Sequence, residues 1–283
     1  MSSAVEREIR LLEVNGMRMG ALLCGAATPG GRTLVLLHGF TGSALGWDGL
    51  LDAFASAGLR VIALDLHGHG RSDAPPDAWR YAMEHCQADI IAALDLLGVH
   101  SGEAILLGYS MGGRIALYCA FSGYFRALIL ESASPGIADA QERERRRLSD
   151  NALAESIERE GVAAFVERWE RLPLFASQRN LPASKRAALR EQRLNNRAEG
   201  LANSLRGVGT GVQPALHARL PVLDIPVLLI AGDLDKKFCE IARQMAQLLP
   251  HAQLRIVTGA GHTIHLEQPG IFVDLVHAFI ECV

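Results

Sequence analysis

The stretch Gly108-Tyr109-Ser110-Met111-Gly112-Gly113 decides how this chain is read. It follows an apolar, strand-like run, Ala104-Ile105-Leu106-Leu107, and opens a helical one, Arg114-Ile115-Ala116-Leu117. A serine in a GxSxG run between strand and helix sits on a strained turn. Glycine flanks it because a Cβ at either place would collide with neighbouring backbone. The turn lifts the hydroxyl into open space above a sheet. The first amides of the helix lie beside it, and their unsatisfied N–H groups favour developing negative charge. The setting points to Ser110 as a reactive serine; the plain alternative is a structural turn.

Outward from this turn, extended and helical segments alternate, which predicts an α/β fold with a mainly parallel sheet flanked by helices. Strands are expected over 10–14, 19–24, 33–37, 60–64, 104–107, 127–130, 227–230 and 253–257. Helices are expected over 47–57, 85–97, 240–249 and 269–282. The rhythm breaks between 136 and 220, where the sequence is helical and highly charged with no convincing strand. That block reads as an all-helical cap, or lid, inserted over the active-site end of a core made of 1–135 and 221–283.

Size and composition narrow the function. At 283 residues, 49% hydrophobic and 21% charged, the chain is an ordinary globular protein with room for one α/β core and an insertion. A formal charge of -3 gives no reason to expect nucleic acid or an anionic membrane as partner. No apolar run is long enough to span a bilayer and the N-terminal residues lack the apolar core of a secretion signal, so a cytoplasmic address is expected. Cys24, Cys86, Cys119, Cys239 and Cys282 are scattered and odd in number, which suits reduced thiols better than disulfides or zinc. Oligomeric state is not written in the sequence.

A serine near neutral pH needs an imidazole to take its proton and a carboxylate to orient that imidazole. The strand at 227–230 runs into Gly232-Asp233-Leu234-Asp235, where two aspartates compete. The strand at 253–257 runs into Gly259-Ala260-Gly261-His262, and its glycine-rich turn presents His262 at a strand end. The aspartate not used is expected to cap the helix that follows. His265 is expected to pack or hydrogen-bond nearby; no third ligand accompanies the two histidines, so a metal site is not expected. Arg114 lies four residues after Ser110, one turn along the same helix face. A guanidinium there would hold an anionic group, and its fork suits a carboxylate; the plain alternative is pairing with Asp or Glu.

The order of Ser110, then Asp, then His, each just past a strand, resembles the α/β-hydrolase fold, whose nucleophile elbow is a GxSxG. That resemblance favours Asp235 over Asp233 by the GxxD spacing and makes His262 the base. It puts the oxyanion-accepting amides at Met111 and at Phe40 in His38-Gly39-Phe40, leaving His38 a structural residue. The run Asp65 to Ser72 matches the turn such folds write DxxGxGxS, with His67 where Pro is usual.

A narrower resemblance covers nearly the whole chain. GYSMGGR, SPGI followed by ERERRRLSD, FVERWERLPLFAS, LREQRLNN, VGTGVQPAL, GDLDKKF and GHTIHLEQP together resemble the 2-succinyl-6-hydroxy-2,4-cyclohexadiene-1-carboxylate synthases of menaquinone and phylloquinone biosynthesis. The resemblance implies a lyase that eliminates pyruvate from 2-succinyl-5-enolpyruvyl-6-hydroxy-3-cyclohexene-1-carboxylate, with no cofactor and no metal. It implies that Arg114, Arg146 and Arg193 bind the carboxylates of a polycarboxylate substrate, with Arg143 second in the cap cluster, and that Trp169 and Tyr109 line the pocket. The competing reading is a carboxylesterase or C–C bond hydrolase acting on an anionic substrate.

Overall fold

Strand β3 (Thr33–Leu37) is buried along its whole length, as a central strand covered on both faces must be. The computed structural model describes residues 6–27 and 31–283. Around β3 stand β1 (Arg7–Val14), β2 (Met17–Cys24), β4 (Arg60–Leu64), β5 (Ala104–Tyr109), β6 (Ala127–Glu131), β7 (Val227–Gly232) and β8 (Ala252–Val257). They form one sheet in the spatial order β1-β2-β4-β3-β5-β6-β7-β8. Only the β1–β2 and β2–β4 pairs are antiparallel. The fold is α/β, as its strand–helix alternation predicts.

Alternation along the strands feeds two apolar layers. Leu34 and Leu36 face Leu51, Phe54, Phe272 and Phe279, on helices α1 (Asp48–Ser56) and α9 (Pro269–Glu281). Val35 and Leu37 face the other layer, which holds residues of α2 (Met83–Leu96), α3 (Met111–Ala120) and α7 (Lys236–Leu248). The predicted helix over 47–57 begins at Asp48, because Ala44–Trp47 first makes a 3-10 turn. The helix predicted from 240 begins at Lys236, and a short helix, α8 (Ile264–Glu267), follows His262.

Between β6 and β7, which pair directly, the chain leaves the sheet. It runs through α4 (Ala140–Trp169), α5 (Ala183–Leu194) and α6 (Ala198–Val208), with 3-10 segments at Pro173–Asn180 and His217–Val222. This insertion has its own apolar cluster of Ala154, Ile157, Phe165, Val166, Leu201 and Leu205, against which Phe40 of the core packs. Its two ends are pinned together where Leu216 N–H donates to Pro135 O at 2.8 Å. Among the described residues no helix is long and apolar enough to cross a membrane.

Candidate active site

Ser110 occupies the junction of β5 and α3 with φ 51° and ψ −107°, in the left-handed half of backbone space that a serine adopts only under constraint. The constraint is close packing. A Cβ on Gly108 would lie 2.3 Å from Gly112 O, and one on Gly112 would lie 2.3 Å from Leu37 O. The Ser110 N–H donates to Glu131 O at 2.9 Å, tying the turn to the end of β6.

Two loops, those after β7 and β8, reach this serine. Ser110 Oγ–H donates to His262 Nε2 at 3.0 Å, and His262 Nδ1–H donates to Asp235 Oδ2 at 2.7 Å. The His262 and Asp235 side chains are 1% and 8% exposed, so this relay is shielded from competing water. Rings of Phe238 and Tyr109 stand 4.6 and 5.5 Å from that of His262. The structure corrects the expected division of labour between the aspartates. Asp235 both meets His262 and caps α7, its Oδ1 accepting from Phe238 N–H at 3.3 Å. Asp233 does not cap: its Oδ1 accepts from Gly259 N–H at 2.8 Å, fastening the loop that carries His262.

Phe40 follows β3 and Met111 opens α3; neither N–H makes a main-chain hydrogen bond among the described residues, which leaves both free to meet an oxyanion. His38 shapes this loop: its Nδ1–H donates to Gly39 O at 2.8 Å and its Nε2 accepts from Leu66 N–H at 3.0 Å. Burial pushes its pKa down to about 4, so it stays neutral.

Arg114 donates to Val208 O at 2.8 Å and to Gln213 Oε1 at 2.9 Å. No carboxylate lies within ion-pair distance of it among the described residues. Burial first, and the nearby Arg146 second, lower its pKa to about 10. Arg146 donates through Nε to Asp150 Oδ1 at 2.7 Å and is 45% exposed, while Arg143 donates to Ile137 O at 3.0 Å. Arg193 is 5% exposed. It donates to Gln178 Oε1 at 3.0 Å, pairs with Glu170 at 3.2 Å, and lies 5.4 Å above the Phe175 ring. Trp169 packs with Phe40, Phe165 and Phe175 at ring distances of 5.4, 5.3 and 5.5 Å. Tyr109, Phe40, Phe175 and Arg193 border one small cavity.

Residues 32–269 match the family described as alpha/beta hydrolase fold. A Bacillus subtilis (strain 168) protein named as a 2-succinyl-6-hydroxy-2,4-cyclohexadiene-1-carboxylate synthase is 44% identical over 249 residues, 87% of this chain and 89% of that protein. A Salmonella paratyphi B synthase of the same name is 35% identical over 250 residues, 87% of this chain and 92% of that protein. The structure of MenH from S. aureus superposes with a TM-score of 0.87 at 36% identity, covering 92% of this chain and 97% of that one. The chain belongs to the α/β-hydrolase family, in its 2-succinyl-6-hydroxy-2,4-cyclohexadiene-1-carboxylate synthase branch.

In this synthase-family chain, three acidic residues escaped the reading of the sequence. Glu267 clamps the His262 loop, accepting from Gly261 N–H at 2.6 Å and from Thr263 Oγ1–H at 2.7 Å. Glu131, fully buried at the end of β6, accepts from both His265 N–H and His265 Nδ1–H. A charged residue closing the otherwise apolar run ALILE was the available signal. Asp89 accounts for the unusual His67, which donates through Nε2 to Asp89 Oδ2 at 3.0 Å in the core. Among the described residues no cluster of three or more His, Cys, Asp or Glu could hold a metal ion.

Proposed function

We propose that this chain eliminates pyruvate from 2-succinyl-5-enolpyruvyl-6-hydroxy-3-cyclohexene-1-carboxylate, giving 2-succinyl-6-hydroxy-2,4-cyclohexadiene-1-carboxylate. The observation that carries the reading is Arg114: a half-buried cation with no carboxylate within ion-pair distance among the described residues, one helical turn from Ser110. Such a cation is stabilised when a ligand supplies the missing carboxylate.

The chemistry follows from the relay. His262 takes the Ser110 proton, and Asp235 steadies the imidazolium that results. The Ser110 oxygen then removes the proton next to the succinyl ketone. Negative charge moves to the ketone oxygen, where the Phe40 and Met111 N–H groups receive it. The enolate re-forms the ketone as a ring C=C forms and the ring C–O bond breaks. The leaving enolpyruvate takes up a proton at carbon and becomes pyruvate; that proton balances the one His262 gives up, so Ser110 ends as a hydroxyl carrying the substrate's proton and His262 ends neutral. Arg114, Arg146 and Arg193 bind substrate carboxylates in this scheme, Trp169 and Tyr109 line the pocket, and the 136–220 insertion acts as the cap that keeps water from the enolate. The site works as a proton-transfer device, so ester hydrolysis is feeble.

The test is pyruvate release from the enolpyruvyl substrate, followed by coupled reduction of the pyruvate. Release that Ser110→Ala lowers by orders of magnitude supports the scheme. No release, with rapid cleavage of a neutral ester or a dienoate, replaces it with a hydrolase.

A further inference from the structure

The elimination proposed above makes two products of very different size, and the structure has a space suited to the smaller one. A cavity of about 60 Å³ is bordered by Gly39 and Phe40 of the oxyanion loop, by Tyr109, which precedes Ser110, and by Thr263, which follows His262. At about 10–15 Å³ per water it has room for about four to six waters, on the scale of a three-carbon acid and far below that of a substituted cyclohexadiene. It shares Ser43, Gly46, Leu189, Gln192 and His265 with an open groove of about 750 Å³ beneath α5.

The junction is narrow and specific. Gln192 of α5 donates through Nε2 to Ser43 Oγ at 2.7 Å, bridging the insertion to the loop after β3. Opposite it stands Gly46, where an added Cβ would come within 3.3 Å of the same amide nitrogen. A larger residue at 46 therefore closes the way unless Gln192 moves. The walls suit an acid. His265 is 6% exposed and spends Nδ1 on Glu131, while its Nε2 has no partner among the described residues. The Nε of Arg193, also bordering the cavity, is buried and unpartnered. The Arg193 Nε–H can donate to a passing carboxylate, and His265 Nε2, its Nδ1–H given to Glu131, can accept from a hydroxyl or a water.

We propose that the small 2-oxo acid leaves by this passage beneath α5, while the ring product stays under the cap until it opens. The inference rests on the elimination reading, and the experiment separates the two. Gly46→Leu and Leu189→Trp each plug the junction from a different wall. Rapid-quench measurement with enzyme in excess reads pyruvate formation in a single turnover, and substrate excess reads release. Single-turnover rates within about twofold of the unmodified enzyme are expected for both variants. Their steady-state kcat should fall about tenfold or more, after a burst approaching one pyruvate per site. Gln192→Ala added to Gly46→Leu should restore kcat by reopening the gap. Unchanged kcat in both plugged variants overturns the route, as does a single-turnover rate that falls as far as kcat. No pyruvate from the unmodified enzyme in a single turnover overturns the elimination itself.

Discussion

At the scale of single residues, the contest between Asp233 and Asp235 has the sharpest consequence. Asp235→Asn removes the acceptor that holds the His262 tautomer and should lower kcat at least a hundredfold, whereas Asp233→Asn loosens one loop contact and should lower it only a few-fold. Steady-state pyruvate release checks both, and a larger defect at 233 would reverse their roles. Arg114→Ala deletes the unpaired cation. It should lower kcat/KM for the tricarboxylate by about a hundredfold, ~3 kcal/mol, and leave a small neutral ester nearly untouched. Equal losses on both substrates would remove Arg114 from binding. Ser110 and His262 were legible because a strained turn and a glycine-rich strand exit leave local signatures. The ties that settle the neighbours were not. Arg193 and Glu170 pair across 23 positions, and Glu131 meets His265 across 134, distances over which no local periodicity carries information.

Secondary structure elements follow the same division. The buried parallel strands were readable because both faces are covered, so each appears as a short apolar run between turn signals; β3 and β4 match to the residue. Helix starts were not, since the first turn of α7 is Lys236-Lys237-Phe238 and its beginning is set by the Asp235 cap. The long α4 is in fact two helices joined at Gly161, whose φ 83° and ψ 167° suit glycine almost alone. Beyond the adjoining backbone no atom lies within 4 Å of where its Cβ would be, so an alanine there meets backbone strain and no clash with the rest of the fold. Gly161→Ala should therefore destabilise the protein by about 2 kcal/mol, lowering Tm by roughly 4–8 °C. A scan showing no shift, or a rise, would mean that α4 straightens through the kink without penalty.

Across the whole molecule, the loops that bring core and insertion together are built on buried imidazoles, which ties stability to pH. His38 and His69 have rings 5.0 Å apart, and the His69 ring lies 5.9 Å from that of Phe40. Burial pushes their pKa values down to about 4 and about 3, and at His69 the His38 ring and Arg197 disfavour the charge further. In the unfolded chain both titrate near the ordinary 6.5. Below that pH the unfolded state binds more protons than the folded one, so stability is complete above about 6.5 and is lost as pH falls toward about 4. Asp65, which also faces His69, has its pKa raised by burial and acts in the opposite sense, over a window that opens upward from the ordinary carboxylate value. Carboxylates held down by arginine partners, such as Asp73 beside Arg18 and Glu158 beside Arg206, lose their contribution only as pH falls through the carboxylate range. The interval from pH 7 to 5 is where the two histidines lower stability as they charge in the unfolded chain. Urea unfolding should show stability falling by a few kcal/mol between those values, and His69→Gln, which cannot titrate, should flatten the slope while Ser110 and His262 keep their geometry. An equally steep slope in His69→Gln would move the pH sensitivity out of the loop junction and onto groups elsewhere in the fold.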